Sequence, residues 1–213
     1  MKKRCLFPLL FVATVIFLSL FTNFFLLHRQ AEENTVVEVV DGDTFQLKSG
    51  KRVRLLGVDA PEYNRCGGKE AKEALSALIS NKQVKLTEET TEAYGRTLAL
   101  VWVDDTLVNE EMLRQGWART DYRKNTLRDR LTAAFHQGQN KGLNLLCVSD
   151  KPPNPGCLIK GNIDPASYEK FYHLPNCSHY SEVKINLAFG EQWFCSEKEA
   201  VNAGFKKAAG CPK

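Results

Sequence analysis

The sequence predicts an α+β chain that is mainly β in its central part. That part is a five-stranded barrel carrying three helices, behind an N-terminal transmembrane helix and ahead of a small cysteine-rich module. Three observations carry the prediction. Residues Cys5 to Leu27 include no charged side chain. From Thr35 to about Cys147, short alternating apolar runs separated by turn residues are interspersed with amphipathic helical patterns. Beyond the Pro- and Gly-dense stretch Lys151–Gly156, four cysteines fall between Cys157 and Lys213.

The N-terminus opens on basic Met1-Lys2-Lys3-Arg4. The apolar run that follows matches the length of about 20 residues that a membrane-spanning helix needs. Its end, Phe24 to Gln30, lacks the small-residue pattern of a cleavage site. An uncleaved signal anchor over residues 1–30 is therefore favoured over a cleaved leader. The basic flank stays in the cytoplasm, which puts the remainder on the extracytoplasmic side, periplasmic or extracellular, and makes it secreted if the segment is cut. Lys2, Lys3, Arg4 and Arg29 account for the whole formal charge of +4. The rest is neutral, which excludes a globally basic nucleic-acid binder. Attraction to phosphate must come from local patches, such as Arg114, Arg119, Arg123, Lys124, Arg128 and Arg130.

The central domain spans 34–148. Strands are expected at Thr35–Val40 and Thr44–Lys48, on either side of the Asp41-Gly42-Asp43 turn, and at Lys51–Val58 after Ser49-Gly50. Lys69–Ser80 reads as a helix with Ala71, Ala74, Leu75, Leu78 and Ile79 on one face. Strands follow at Gln83–Thr87 and Thr97–Val103. Asn109 is placed to cap a short helix that stops before Gly116. Thr126–Lys141 is the third helix, with Leu127, Leu131, Ala134 and Phe135 inward. Residues 149–156 form a linker, and 157–213 a small module with one helix, Glu197–Ala209. A core this small calls for a covalent or metal staple.

The chemistry lies in two runs, Asp41-Gly42-Asp43-Thr44 and Arg54 to Glu62, with Tyr94-Gly95-Arg96 beyond. Carboxylates such as Asp43 and Asp59, at the ends of neighbouring strands, suit a hard cation such as Ca²⁺. Arg54 and Arg96 offer forked, permanently charged donors to phosphate oxygens. Glu62, past the restrictive Pro61, is placed to accept a proton from water. Each piece alone has an ordinary explanation as a turn or a surface charge. Their order and joint presence point to phosphodiester hydrolysis.

Val36 to about Leu146 resembles the staphylococcal nuclease family, whose signature segments are all present. The resemblance implies an OB-fold barrel with three helices and Ca²⁺-dependent cleavage of DNA and RNA to 3′-phosphate ends. It also implies residue roles. Asp43, Asp59 and the carbonyl of Ala60 correspond to the metal ligands, and Asp41 and Thr44 stand beside them. Arg54, Arg96 and Glu62 correspond to the catalytic set, and Tyr94 and Tyr122 to aromatics near the bound nucleotide. Val108-Asn109-Glu110 and Arg114-Gln115-Gly116 match the family's second-helix segment. Ala93 and Lys124 depart from the pattern, standing where the staphylococcal enzyme has a lysine and a second tyrosine. A monomer acting on DNA and RNA, held to the membrane by its N-terminal helix, is the expected form.

Six cysteines lie in the exported part, where disulfides form. The pairs favoured are Cys66–Cys147, Cys157–Cys195 and Cys177–Cys211. The alternative for the tail is zinc on His173, Cys177, Cys195 and Cys211, whose ligand types fit although no Cys-x₂-Cys pair is present. Two other function classes stand beside the nuclease: a non-catalytic OB-fold nucleic-acid binder at the cell surface, and an adhesion or scaffold protein working through its tail.

Overall fold

The computed structural model describes residues 6–212 apart from 93–94, 122 and 165–166, and no side chains at 6–10, 25 and 27–31. Helix α1 (Leu6–Glu33) leads the chain. The expected membrane span is not matched: among the described residues no helix is long and apolar enough to cross a membrane. Helix α1 has 28 residues. It also carries Thr14, Thr22 and Asn23, which turn their polar groups back onto helix carbonyls.

Strands β1 (Val36–Val39), β2 (Thr44–Leu47) and β3 (Arg52–Leu55) form an antiparallel meander. After β4 (Val58–Asp59) and helix α2 (Gly68–Ile79) come β5 (Lys85–Thr91) and β6 (Thr97–Val103). The order is β1-β2-β3-β6-β5, with β3 and β6 parallel. The two edges meet where Thr35 bridges Gln83 and the Val36 N–H donates to the Lys82 carbonyl at 3.0 Å. The sheet thus curls into an OB-like barrel around Phe45, Leu47, Val53, Leu55, Leu75 and Leu100. A sixth strand, β7 (Thr106–Leu107), extends it beyond the expected five.

Helix α3 (Val108–Arg114), strand β8 (Arg119–Thr120), helix α4 (Arg128–Gly138) and helix α5 (Gly142–Leu146) complete this part. Three expectations are corrected. The single strand Lys51–Val58 breaks at Gly57, whose φ of 76° turns the chain and sends Val58–Asp59 to pair with β8. The long third helix stops at Gly138, and Gly142 at φ 47° starts α5 as a separate turn. Asn109 is not a cap: α3 begins at Val108, and Asn109 is fully buried inside it. Its Oδ1 accepts the Val101 N–H at 2.8 Å, and its Nδ2 donates to the carbonyls of Leu56 at 2.9 Å and Ala99 at 3.2 Å. One side chain thereby ties α3, β6 and the Leu56 turn together.

The C-terminal region begins with β9 (Val148–Ser149) and holds β10 (Ile159–Ile163), β11 (Lys170–His173), β12 (Ile185–Asn186) and β13 (Gln192–Phe194). Helix α6 (Glu197–Asn202) and β14 (Lys206–Lys207) end it. The sheet order is β13-β10-β11-β14, over a small core of Ile159, Tyr172, Phe194, Ala200 and Phe205. The helix expected over Glu197–Ala209 ends at Asn202 because Gly204, at φ 83°, turns the chain so that Lys206–Lys207 can pair with β11. Cys66–Cys147, Cys157–Cys195 and Cys177–Cys211 are disulfide-bonded. The zinc alternative therefore loses its cysteines, and His173 faces the Asn162 side chain at 2.9 Å. The region is fastened to the barrel part: the Leu187 N–H donates to the Cys147 carbonyl at 3.0 Å, and Ala188 and Phe189 pack on Leu143, Cys147, Cys66 and Trp117.

Candidate active site

The β2–β3 register sets Thr44 opposite Arg54, and outward-facing Arg54 alternates with buried Val53 and Leu55. Arg54 therefore leaves the barrel wall beside the Asp41–Asp43 turn. The turn can sit so close because residue 42 is glycine; a Cβ there would lie 2.7 Å from the side chains of both Ala60 and Ala71. The Asp43 N–H donates to Asp41 Oδ1 at 3.0 Å.

Asp43 is only 1% exposed. Its Oδ1 accepts Arg54 Nη1 at 2.7 Å and the Thr44 hydroxyl at 2.8 Å, and its Oδ2 accepts the Ala60 N–H at 2.9 Å. Asp59 Oδ1 accepts Arg54 Nη2 at 2.9 Å, and its Oδ2 accepts Arg119 Nε at 2.9 Å. One guanidinium thus bridges both carboxylates. Arg54 Nε is buried and without a partner among the described residues.

Burial pushes the Asp43 carboxyl up to about 7 and Asp41 adds to the rise, while Arg54, the Ala60 N–H and Thr44 pull the other way. Burial opposes the Arg54 charge, but Asp43 and Asp59 carry it above its ordinary value.

The other expected residues are spread more widely. Arg96 pairs with Glu92 and not with the two aspartates, and Glu92 also lies 3.7 Å from Arg123. Arg96 lines an open groove with Gly50, Lys51, Arg52 and Gly95. Glu62 is exposed, on the loop that leads from β4 to α2, and its side chain has no partner among the described residues. The loop is fixed by Gly68, where a Cβ would lie 2.1 Å from the Glu62 carbonyl. Tyr94 and Tyr122, with Ala93, lie outside the described residues. Ala60 meets Asp43 through its N–H.

The expected basic patch is largely neutralised. Arg114 and Arg130 pair with Glu110, Arg123 with Asp121, and Arg119 with Asp59. Sequence reasoning placed Arg119 in that patch and gave no role to Glu92 or Asp121. The β4–β8 pairing that sets Arg119 beside Asp59 joins two-residue strands 60 positions apart, and no local periodicity announces it.

The donor set around Arg54 consists of hard oxygens only, the chemistry a Ca²⁺-type cation takes. Among the described residues no group of three or more His, Cys, Asp or Glu side chains converges as a metal site. The two carboxylates fit such a cation only if backbone oxygens and water complete its shell.

A sequence profile described as "Staphylococcal nuclease homologue" matches residues 52–146. That span includes Arg54, Asp59, Glu62 and Arg96, and leaves out Asp41, Asp43 and Thr44. A Haemophilus influenzae protein described as an uncharacterized endonuclease is 33% identical over 173 residues, covering 78% of this chain and 83% of its own. The thermonuclease of Staphylococcus hyicus is 32% identical over 166 residues, 68% of this chain and 98% of that one. A micrococcal nuclease of Shigella flexneri is 34% identical over 105 residues, 43% of this chain and 60% of its own.

Proposed function

The chain belongs to the staphylococcal nuclease family and is a nuclease, and on that premise we propose that it is a calcium-dependent phosphodiesterase cutting DNA and RNA to 3′-phosphate ends. The observation that carries the reading is the Arg54 guanidinium set between the carboxylates of Asp43 and Asp59.

Asp43, Asp59 and the Ala60 carbonyl would hold the cation. When bound, calcium supplies positive charge against the charge developing on the phosphate and lowers the pKa of a water it carries. Arg54 turns its guanidinium N–H groups to a phosphate oxygen, and donors aimed where charge develops lower the barrier most in a water-poor site. Arg96, half-buried along its groove, meets a second phosphate oxygen. Glu62, unpartnered and on a loop fixed at Gly68, takes the proton from the attacking water. Tyr94 and Tyr122 contact the nucleotide. One chain supplies every residue, so a monomer suffices.

The three disulfides support export to an oxidising compartment by way of the apolar N-terminal segment. Cell fractionation, with and without that segment, reads this directly.

The test of the activity is digestion of plasmid and RNA by the oxidised chain, first with calcium and then with a chelator. Cleavage that chelation abolishes and calcium restores supports the reading. Absence of cleavage at every calcium concentration overturns it.

A further inference from the structure

We propose that Phe189, in the C-terminal region, is a positioning residue for the carboxylate of Asp59 and acts through Arg119. The inference rests on the reading of Asp59 as a cation ligand.

Asp59 is held at both oxygens, by Arg54 at one and by Arg119 Nε at the other, each at 2.9 Å. In the proposed reaction Arg54 turns towards phosphate, and Arg119 is then the residue left to aim the carboxylate. An arginine side chain has many rotamers, so it aims a partner only when it is itself fixed. The β4–β8 register fixes its backbone opposite Asp59. Its guanidinium is fixed from the other end of the chain. The Phe189 ring centre lies 4.0 Å from Arg119 Cζ, and the Tyr168 ring centre 5.9 Å away. An aromatic face attracts a guanidinium, and more so where water is excluded; the Arg119 side chain is 15% exposed.

Phe189 is itself held in place. It ends the 3-10 turn Leu187–Phe189, where the Leu187 N–H donates to the Cys147 carbonyl at 3.0 Å and Asn186 Oδ1 caps the turn at Ala188. Asn186 belongs to β12, paired with β9. Half-buried Glu191 accepts the N–H groups of Asn186 at 2.7 Å and Ile163 at 3.0 Å. The segment 185–191 is thus a brace running from the C-terminal sheet to the carboxylate. Residues that orient a metal ligand from outside typically tune metal affinity by about 10–100-fold.

The test is equilibrium calcium binding to the full, oxidised, chelator-treated chain by titration calorimetry, read beside thermal stability. Phe189→Leu keeps apolar volume and removes the ring face; Phe189→Tyr keeps both. The leucine variant should weaken calcium binding by about tenfold, the low end for lost outer orientation, and raise the calcium needed for half-maximal cleavage by the same factor. The tyrosine variant should bind as wild type does. Arg119→Lys, which keeps charge and loses the stacked plane, should follow the leucine variant. Leucine and lysine variants that bind calcium like wild type, whatever their melting temperatures, overturn the brace and leave the nuclease reading standing. A wild-type chain that binds no calcium overturns both.

Discussion

Arg54 Nη1 lies 2.7 Å from Asp43 Oδ1 across the β2–β3 hairpin, with their side chains 12% and 2% exposed. At that burial the charges are shielded from water, and each needs the other. Arg54→Ala should therefore lower cleavage by about 10²–10³-fold through loss of a transition-state donor, and weaken folding as well through the stranded Asp43. Arg96→Ala should lower the rate by a similar factor while leaving stability nearly intact, since among the described residues Arg96 pairs only with Glu92, and Arg123 can still reach that carboxylate. Rates and denaturation midpoints of the two variants separate the roles. Equal losses of stability would contradict the assignment.

The Asp43 carboxyl, raised from 3.8 to about 7 by burial, couples calcium to protons. The folded chain holds a proton there that the unfolded chain releases. The Asp43 contribution is therefore favourable below pH 3.8 and is lost as pH rises towards 7. Calcium requires the ionised form, so binding near pH 6 should release close to one proton, falling towards none above pH 8, as expected for a single group titrating about 7. Calorimetry in buffers of different ionisation heat counts that proton. Zero release at both pH values would show that Asp43 is already ionised.

Asn109→Leu should cost about 3 kcal/mol of folding stability, because it strands the buried Val101 N–H and the Leu56 carbonyl and removes one of two bonds to the Ala99 carbonyl, which still accepts the Leu56 N–H. The loss should appear in urea unfolding as a lower midpoint. A change under about 0.5 kcal/mol, the range of ordinary surface substitutions, would mean that water replaces the side chain there.

The Cys66–Cys147 bond closes a loop of sequence separation 81. Chain-entropy reasoning gives it about 4–5 kcal/mol at most. Replacing both cysteines by serine should lower stability by up to that amount. It should also loosen the segment packed on Cys147, visible as faster amide exchange at Leu187, whose N–H donates to the Cys147 carbonyl. Protection at Leu187 equal to wild type would place its anchoring elsewhere.

Much of the fold was legible because the meander is local. Thr44–Leu47 and Arg52–Leu55 alternate with the period of a strand, and Ala71, Leu75 and Ile79 recur with the period of a helix. The order of Asp43, Arg54 and Asp59 along one hairpin and its exit made the central pair of carboxylates readable too. The strand over Lys51–Val58 was read too long because periodicity does not report the left-handed turn at Gly57. Asn109 was read as a cap because Asn before an acidic pair is a cap signature. The structure makes it a clamp because buried β6 and the Leu56 turn offer it three backbone partners.

The sequence by itself determined the barrel and the charged residue types gathered at its candidate site, since these follow from side-chain period and from functional groups set a few positions apart. Only the tertiary structure decided which partner each group takes: Arg54 between two aspartates, Arg96 on Glu92, Arg119 between Asp59 and Phe189. Those pairings join segments tens of residues apart, through two-residue strands and aromatic contacts too short to leave a periodic trace. They form because a buried charge takes whatever opposite charge the fold sets within reach.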